Sequence, residues 1–302
     1  MGRTHLDRLR PGATLRALLT RSGALMAPGA FSPMAARLAE QAGFEAVYMP
    51  GGGTALDRLG VADVGLLTLD EMVGNARAIV ASVEVPVIAD ADTGFGNALN
   101  VQRTVRDYEQ AGVAALHIED QVFPKRCGHF HGKELLPLEE AAHKIAAAVA
   151  ARRDDSFMVI ARCDALSVAG LGEVQRRCVA YLAAGADMLF VEASTAEQVQ
   201  AVARSVPGPL VFNMAAGGNV PALDVEEVGR LGYKLMLLPN FASLAAIRAI
   251  GEVYAEMRRI GSVTTLGDRI ARFSEFTALG GLEQFDRIAR QFGGRRAGEP
   301  AA

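Results

Sequence analysis

The sequence contains no tryptophan, few aromatics and only three cysteines in 302 residues. Aromatics make up 6% but hydrophobic residues 50%, so the core must be built from Ala, Val, Leu and Ile, as in sheets covered by helices. Cys127, Cys163 and Cys178 are too few and too unevenly spaced for a disulfide framework or a zinc cluster. No stretch approaches the roughly 18 uninterrupted apolar residues of a bilayer span. The start, Met1-Gly2-Arg3-Thr4-His5, has no apolar signal core, so a cytoplasmic protein is expected. A net charge of −3 with scattered basic residues leaves no footprint for nucleic acid. The Arg-rich ends, Arg3 to Arg21 and Arg295 to Arg296, read as solvated termini. No Pro/Ser-rich linker divides the chain, whose length suits one α/β barrel.

What is present is a rhythm. Strand-length apolar runs recur at Ala24–Pro28, Ala46–Pro50, Pro86–Ala89, Ala114–Ile118, Phe157–Ala161, Met188–Val191, Leu210–Phe212 and Lys234–Leu238. Helical periodicity lies between them, as in Pro33–Gln41, Leu69–Ser82, Val101–Gln110, Leu138–Arg152, Gly172–Ala184 and Thr195–Arg204. Alternation of this kind predicts parallel βα units and a (β/α)8 TIM-type barrel. The expectation is a single domain over 1–302, with the barrel at about 18–250, a helical arm at about 251–292 and a disordered tail at 293–302. The helical surplus after the eighth strand, Phe241–Ile260 and Thr264–Phe292, exceeds what a plain barrel needs and suggests an arm that packs on another subunit or on its own barrel.

Polar residues gather after the strands, where a barrel keeps its active-site loops. The third strand runs into Asp90-Ala-Asp92 and the fourth into His117-Ile-Glu119; residues i and i+2 share one strand face, so each pair should project into the mouth. Three or four acids in one low-dielectric mouth call for a cation. An all-oxygen set, Asp90, Asp92 and Glu119, favours Mg²⁺ or Mn²⁺, with Asp63 and His117 as outer partners. After the fourth strand comes Lys125-Arg126-Cys127-Gly128-His129, in which two cations and two nearby imidazoles favour the thiolate of Cys127 within a movable Gly-containing loop. Later strands end at Arg162, Glu192 and Asn213, and Arg162 can grip a carboxylate with two nitrogens. Gly51, Gly52 and Gly53 let backbone N–H groups approach an anion.

The motifs Asp90-Ala-Asp-Thr-Gly-Phe-Gly, His117-Ile-Glu-Asp-Gln and Lys125-Arg-Cys-Gly-His129 resemble the isocitrate lyase and phosphoenolpyruvate mutase superfamily, nearest its 2-methylisocitrate and 2,3-dimethylmalate lyase branches, from about Leu18 to about Val263. The resemblance implies Mg²⁺ and a homotetramer whose C-terminal helices are exchanged between neighbours. It makes Cys127 the acid that protonates the enolate left by C–C cleavage, and it gives Tyr48 a hydrogen bond to the reacting oxygen. Catalytic roles thus fall to Cys127, Tyr48, Arg162 and Glu192; substrate contacts fall to Gly51, Gly52, Asp90, Lys125, Gly128, His129 and Asn213. Cys163 falls where related lyases have threonine, and Cys178 reads as a small core residue.

Two departures stand out. Pro50 replaces the serine usual in related lyases and offers neither hydroxyl nor N–H. The stretch Asn213-Met-Ala-Ala-Gly217-Gly218-Asn219-Val-Pro221 looks more like the dimethylmalate lyase and mutase branches, so a tricarboxylate substrate is not implied. The expected reaction is retro-aldol cleavage of a 2-hydroxy di- or tricarboxylate, the metal holding the 2-hydroxyl and its neighbouring carboxylate, with Tyr48 or a metal-bound water as base. Alternatives are an oxaloacetate decarboxylase or hydrolase, phosphonopyruvate mutase or hydrolase chemistry, which Cys127 disfavours, and a non-catalytic metabolite-binding barrel.

Overall fold

Short apolar runs that are buried on both faces pair most readily in parallel, because the connecting helices cover the outer side. In the computed structural model, which describes residues 10–126, 128, 132–217 and 222–293, this happens eight times. The elements in chain order are α1 (Pro11–Leu19), β1 (Leu25–Pro28), α2 (Pro33–Gln41), β2 (Val47–Met49), α3 (Gly51–Leu59), α4 (Leu69–Ser82), β3 (Val87–Asp90) and α5 (Ala98–Gln110). Then come β4 (Ala115–Glu119), α6 (Leu138–Ala151), β5 (Met158–Cys163), α7 (Leu166–Ala169), α8 (Leu171–Ala183), β6 (Met188–Val191), α9 (Ala196–Ser205) and β7 (Leu210–Asn213). The chain continues through α10 (Val225–Arg230), β8 (Tyr233–Leu238), α11 (Phe241–Ile260), a 3-10 turn at Gly267–Arg269, α12 (Phe273–Leu279) and α13 (Leu282–Gln291).

The sheet order is β1-β8-β7-β6-β5-β4-β3-β2. Its ends meet in one parallel bridge between Gly29 and Tyr48, with the Ala30 N–H donating to the Tyr48 carbonyl at 2.7 Å. The result is a (β/α)8 barrel. On its other side Gly29 meets the end of β8: a Cβ there would lie 2.1 Å from the Pro239 carbonyl oxygen, so only glycine fits.

Side chains alternate across each strand. Ile88, Ala115, Met158, Ile160, Met188, Phe190, Val211 and Leu235 fill the interior, with Leu15 of α1 among them and fully buried. The outward residues, among them Leu116, Val159, Ala161 and Leu189, pack under the helices with Ile145, Val174 and Tyr181.

Helix ends follow local chemistry. Thr68 and Glu71 form a reciprocal capping box at α4, as do Asp224 and Glu227 at α10. Four helices have no counterpart among the segments named from sequence: α1, α3 and the short α7 and α10. α3 starts inside the glycine run, where propensity argues against a helix. The chain divides into two compact units that part after Leu244. The second holds the later turns of α11 with α12 and α13, whose apolar residues include Ile247, Tyr254, Phe273, Phe276, Phe285 and Phe292, each more than half exposed. Among the described residues no helix is long and apolar enough to cross a membrane.

Candidate active site

The inward parity that fills the barrel also builds its mouth. Continuing two residues past Ile88 reaches Asp90; past Ala115 come His117 and Glu119; past Ile160 comes Arg162; past Phe190, Glu192; past Val211, Asn213. Strand register sets Asp90 beside His117 and Glu119 beside Arg162. These six side chains therefore converge for the same reason that the core closes.

Asp92 joins them by another route. β3 ends at Asp90, and Asp92 sits in a turn with φ 45°, a left-handed conformation that Asp tolerates better than most residues. Its N–H donates to Asp90 Oδ1 at 2.9 Å. The two acids are thus neighbours through a turn, not through strand alternation as the i, i+2 spacing predicts. The Gly51 N–H donates to Asp90 Oδ2 at 3.0 Å. Burial opposes ionisation of Asp90, but His117, Lys125 and Arg162 together hold its pKa below the usual range. For Asp92, burial and the nearby Asp90 and Asp63 charges outweigh Lys125 and push the pKa up. Glu119 is raised further by burial, against the pull of Arg162 and Lys125.

Lys125 reaches into this group. Its ammonium contacts Asp63 and stands 2.8 Å from Asp92 Oδ1, with 2% of its side chain exposed. Burial would deprotonate it, but Asp92, Glu119, Asp90 and Asp63 outweigh burial and raise its pKa. The Tyr48 hydroxyl and His117 Nε2 share a 2.8 Å hydrogen bond, and His117 Nδ1 lies 3.7 Å from Asp90 Oδ1. Burial brings the imidazole pKa down to about 4, so the ring is neutral at pH 7. Burial also raises the Tyr48 phenol well above its ordinary value.

Arg162 is gripped on several sides. Nε and Nη2 donate to Asp164 at 3.0 and 3.2 Å, Nη1 lies 3.1 Å from Glu119 Oε2, and the guanidinium stacks 5.1 Å over Phe190. Asn213 Nδ2 donates to Glu192 Oε2 at 3.3 Å. Gly128 closes the space: a Cβ there would fall 2.5 Å from Arg162 Nη2 and 2.9 Å from Glu192 Cδ.

Of the other expected site residues, Gly52 lies in the first turn of α3, whose cap residue Pro50 offers no side-chain hydrogen bond. Cys127 and His129 lie outside the described residues, as do Gly218, Asn219 and Pro221. Cys163, outward by strand parity, and Cys178 of α8 are both fully buried in the outer layer.

Three features went unread in the sequence. Lys133 donates to Asp164 Oδ1 at 2.9 Å. Asp120, facing outward beside Glu119, accepts from Arg177 and Tyr181 of α8 at 3.1 and 2.7 Å. Tyr108 donates to the Asp90 carbonyl at 2.8 Å. Parity alone assigns Asp120 to the helix side; the other two pairings join residues 31 and 18 apart and leave no spacing signal.

The donor set fits a hard divalent cation. Both carboxylate oxygens of Glu119 and Oδ1 of Asp92 are buried without a hydrogen bond; Lys125 faces Asp92 Oδ1 and Arg162 faces Glu119 Oε2, which leaves Glu119 Oε1 as a buried carboxylate oxygen that calls for a positive partner. Among the described residues no three of His, Cys, Asp or Glu converge closely enough to hold one ion. Sparse direct ligation, with water filling the remaining positions, is what Mg²⁺ accepts.

A family model described as phosphoenolpyruvate phosphomutase matches residues 15–258. The chain is 42% identical to 2,3-dimethylmalate lyase of Eubacterium barkeri over 94% of its length and 99% of the relative. It is also 42% identical to 2-methylisocitrate lyase of Aeropyrum pernix over 92% of its length and 90% of the relative. Its fold matches oxaloacetate acetylhydrolase in complex with 3,3-difluorooxalacetate at a TM-score of 0.89 and 35% identity, covering 96% and 99% of the two chains. Phosphonopyruvate hydrolase in complex with oxalate and Mg²⁺ matches at a TM-score of 0.85 and 35% identity, covering 94% and 99%.

Proposed function

The chain belongs to the phosphoenolpyruvate mutase and isocitrate lyase superfamily, and from that membership we propose a carbon–carbon lyase that cleaves a 2-hydroxy di- or tricarboxylate into an α-keto acid and a carboxylate. The observation that carries the reading is Gly128 packed against Arg162 and Glu192. Gly128 thereby stands against a guanidinium able to bind a carboxylate, beside buried acids that would suit a metal.

Asp90, Asp92 and Glu119 would hold Mg²⁺ directly or through water, with Mn²⁺ as a substitute and with Asp63 and His117 outside them. When bound, the ion supplies a Lewis acid for the 2-hydroxyl and its neighbouring carboxylate. The rest is the work of this chain's own groups. Gly51 already donates to Asp90, so Gly52 is the glycine whose N–H, unpaired within the helix, receives the keto-acid carboxylate at the start of α3. Tyr48, whose burial disfavours the phenolate, acts as hydrogen-bond donor to the reacting oxygen and not as base. Arg162, Glu192 and Asn213 hold the departing fragment, the guanidinium countering the negative charge that grows on it. As the C–C bond breaks, the 2-hydroxyl gives its proton to a water in the barrel mouth, the bonding electron pair becomes the enediolate of the departing fragment, and the Cys127 thiol returns a proton to the carbon. Lys125 and His129 serve the substrate from the same loop.

The exposed apolar faces of α12 and α13 support a homotetramer in which these helices pack on a neighbouring subunit. A cytoplasmic location accords with the class of reaction.

Keto acid release from 2,3-dimethylmalate, 2-methylisocitrate, isocitrate and citramalate, with Mg²⁺ present, tests the proposal. Turnover of at least one, abolished by EDTA and restored by Mg²⁺, is expected. Release of oxalate or CO₂ from oxaloacetate, with no keto acid from any hydroxy acid, would establish the hydrolase or decarboxylase reading instead.

A further inference from the structure

Lys133 is a buried ammonium that the reaction itself does not use. Only 3% of its side chain is exposed, and its partner Asp164 is fully buried. The ammonium donates to the Gly128 carbonyl at 2.8 Å and to Asp164 Oδ1 at 2.9 Å. The same carboxylate accepts from Arg162 Nε and Nη2, so one anion bridges a cation on the barrel strand and a cation on the returning limb of the loop.

Other ties act nearer the base of this loop. The Val122 N–H donates to the Glu134 carbonyl at 2.8 Å, and the Gln121 side-chain amide clamps Arg126 through bonds of 2.9 and 3.0 Å. Lys133 reaches farther, to the residue bonded directly to Cys127. An apolar residue of similar length would fill this space without the cost of burying a charge, so net stability alone does not account for the buried pair.

We propose that Lys133 is a positioning residue, which through Asp164 locks the Gly128 carbonyl onto the Arg162 cluster and so sets where Cys127 meets the substrate. The role rests on the lyase reading for its effect on turnover but not for its effect on the loop.

The test compares wild type with Lys133→Met and Lys133→Arg by kcat, KM, thermal midpoint and the rate of Cys127 alkylation by iodoacetamide, mapped by mass spectrometry. Cys163 and Cys178 are fully buried and do not compete for the reagent. Lys133→Met is expected to lower kcat about 10- to 100-fold with KM changed by less than about threefold, as fits loss of one charge-assisted bond and a displaced reacting group. Its Cys127 alkylation rate should change severalfold while the protein remains folded, and Lys133→Arg should recover part of both. Unchanged alkylation and kcat in Lys133→Met, or a loss of kcat that only follows the unfolded fraction, overturns the proposal. If wild type cleaves no hydroxy acid, the lyase reading fails, and the alkylation rates alone still decide the role of Lys133.

Discussion

Replacing Gly128 with alanine adds one methyl group where the structure has no room for it. The new Cβ would stand 2.5 Å from Arg162 Nη2 and 2.9 Å from Glu192 Cδ, about an ångström inside ordinary contact. Arg162 cannot retreat, being tied to Asp164 by two nitrogens and set against Glu119 on its other side. The loop must give way instead. A shift of about 1 Å in a reacting group costs on the order of 100-fold in rate. Gly128→Ala should therefore lose about two orders of magnitude in kcat/KM on whichever hydroxy acid the wild type cleaves. Its thermal midpoint should stay within about 2 °C, because the residue is only partly buried and belongs to neither hydrophobic cluster. Steady-state keto acid release, with calorimetry on the same preparation, reads both quantities. Turnover within about threefold of wild type would refute the reasoning, since the packing of Gly128 on Arg162 would then be no part of the working enzyme.

Tyr48→Phe leaves His117 Nε2 without its 2.8 Å partner in a fully buried site, which costs about 1–3 kcal/mol; a fall in kcat of about 10- to 100-fold is expected in the same assay. Leu15→Ala empties a fully buried position in the barrel interior and should lower unfolding stability by about 2–5 kcal/mol, read from urea denaturation, while kcat at 25 °C is preserved. Asp154 accepts from Arg10, Ser156 N and Ser156 Oγ, and the hydrogen bond from Arg10 leads in holding its carboxyl at about 2 against an ordinary 3.8. Because the folded value is the lower one, its stabilisation is complete above about pH 4 and is lost as pH falls through about 2. Urea midpoints of wild type and Asp154→Asn should differ modestly at pH 6 and converge by pH 2; a gap independent of pH would contradict the assignment.

Much of the barrel and its mouth could be read before any coordinates, because both follow from one period. A strand that places Ile160 inward also places Arg162 inward, so Asp90, His117, Glu119, Arg162, Glu192 and Asn213 were all accessible from alternation. Asp92 was anticipated for the wrong reason: it reaches Asp90 through a left-handed turn, which the two-residue spacing does not reveal. The helix starting at Gly51 was hidden by poor propensity, since tertiary packing overrides three glycines there. The pairing of Lys133 with Asp164 spans 31 residues, and no local pattern records a contact of that range. Asp120 lay in plain view beside Glu119, but its partners Arg177 and Tyr181 belong to a helix whose rotation the sequence alone does not specify.

That adjacency of Glu119 and Asp120 carries a consequence for how such an enzyme changes. One backbone step separates an acid that faces the reaction from an acid that holds a helix to the barrel. A single-residue insertion or deletion within β4 would exchange their duties and damage both chemistry and scaffold together, so insertions there are barred. Substitution is not: inward positions answer to the ligand and outward ones to the helices, and either set can vary while the other stays fixed. New specificities on this barrel should therefore arise by point changes at inward strand ends and by remodelling of the loops beyond them, with strand lengths held constant throughout.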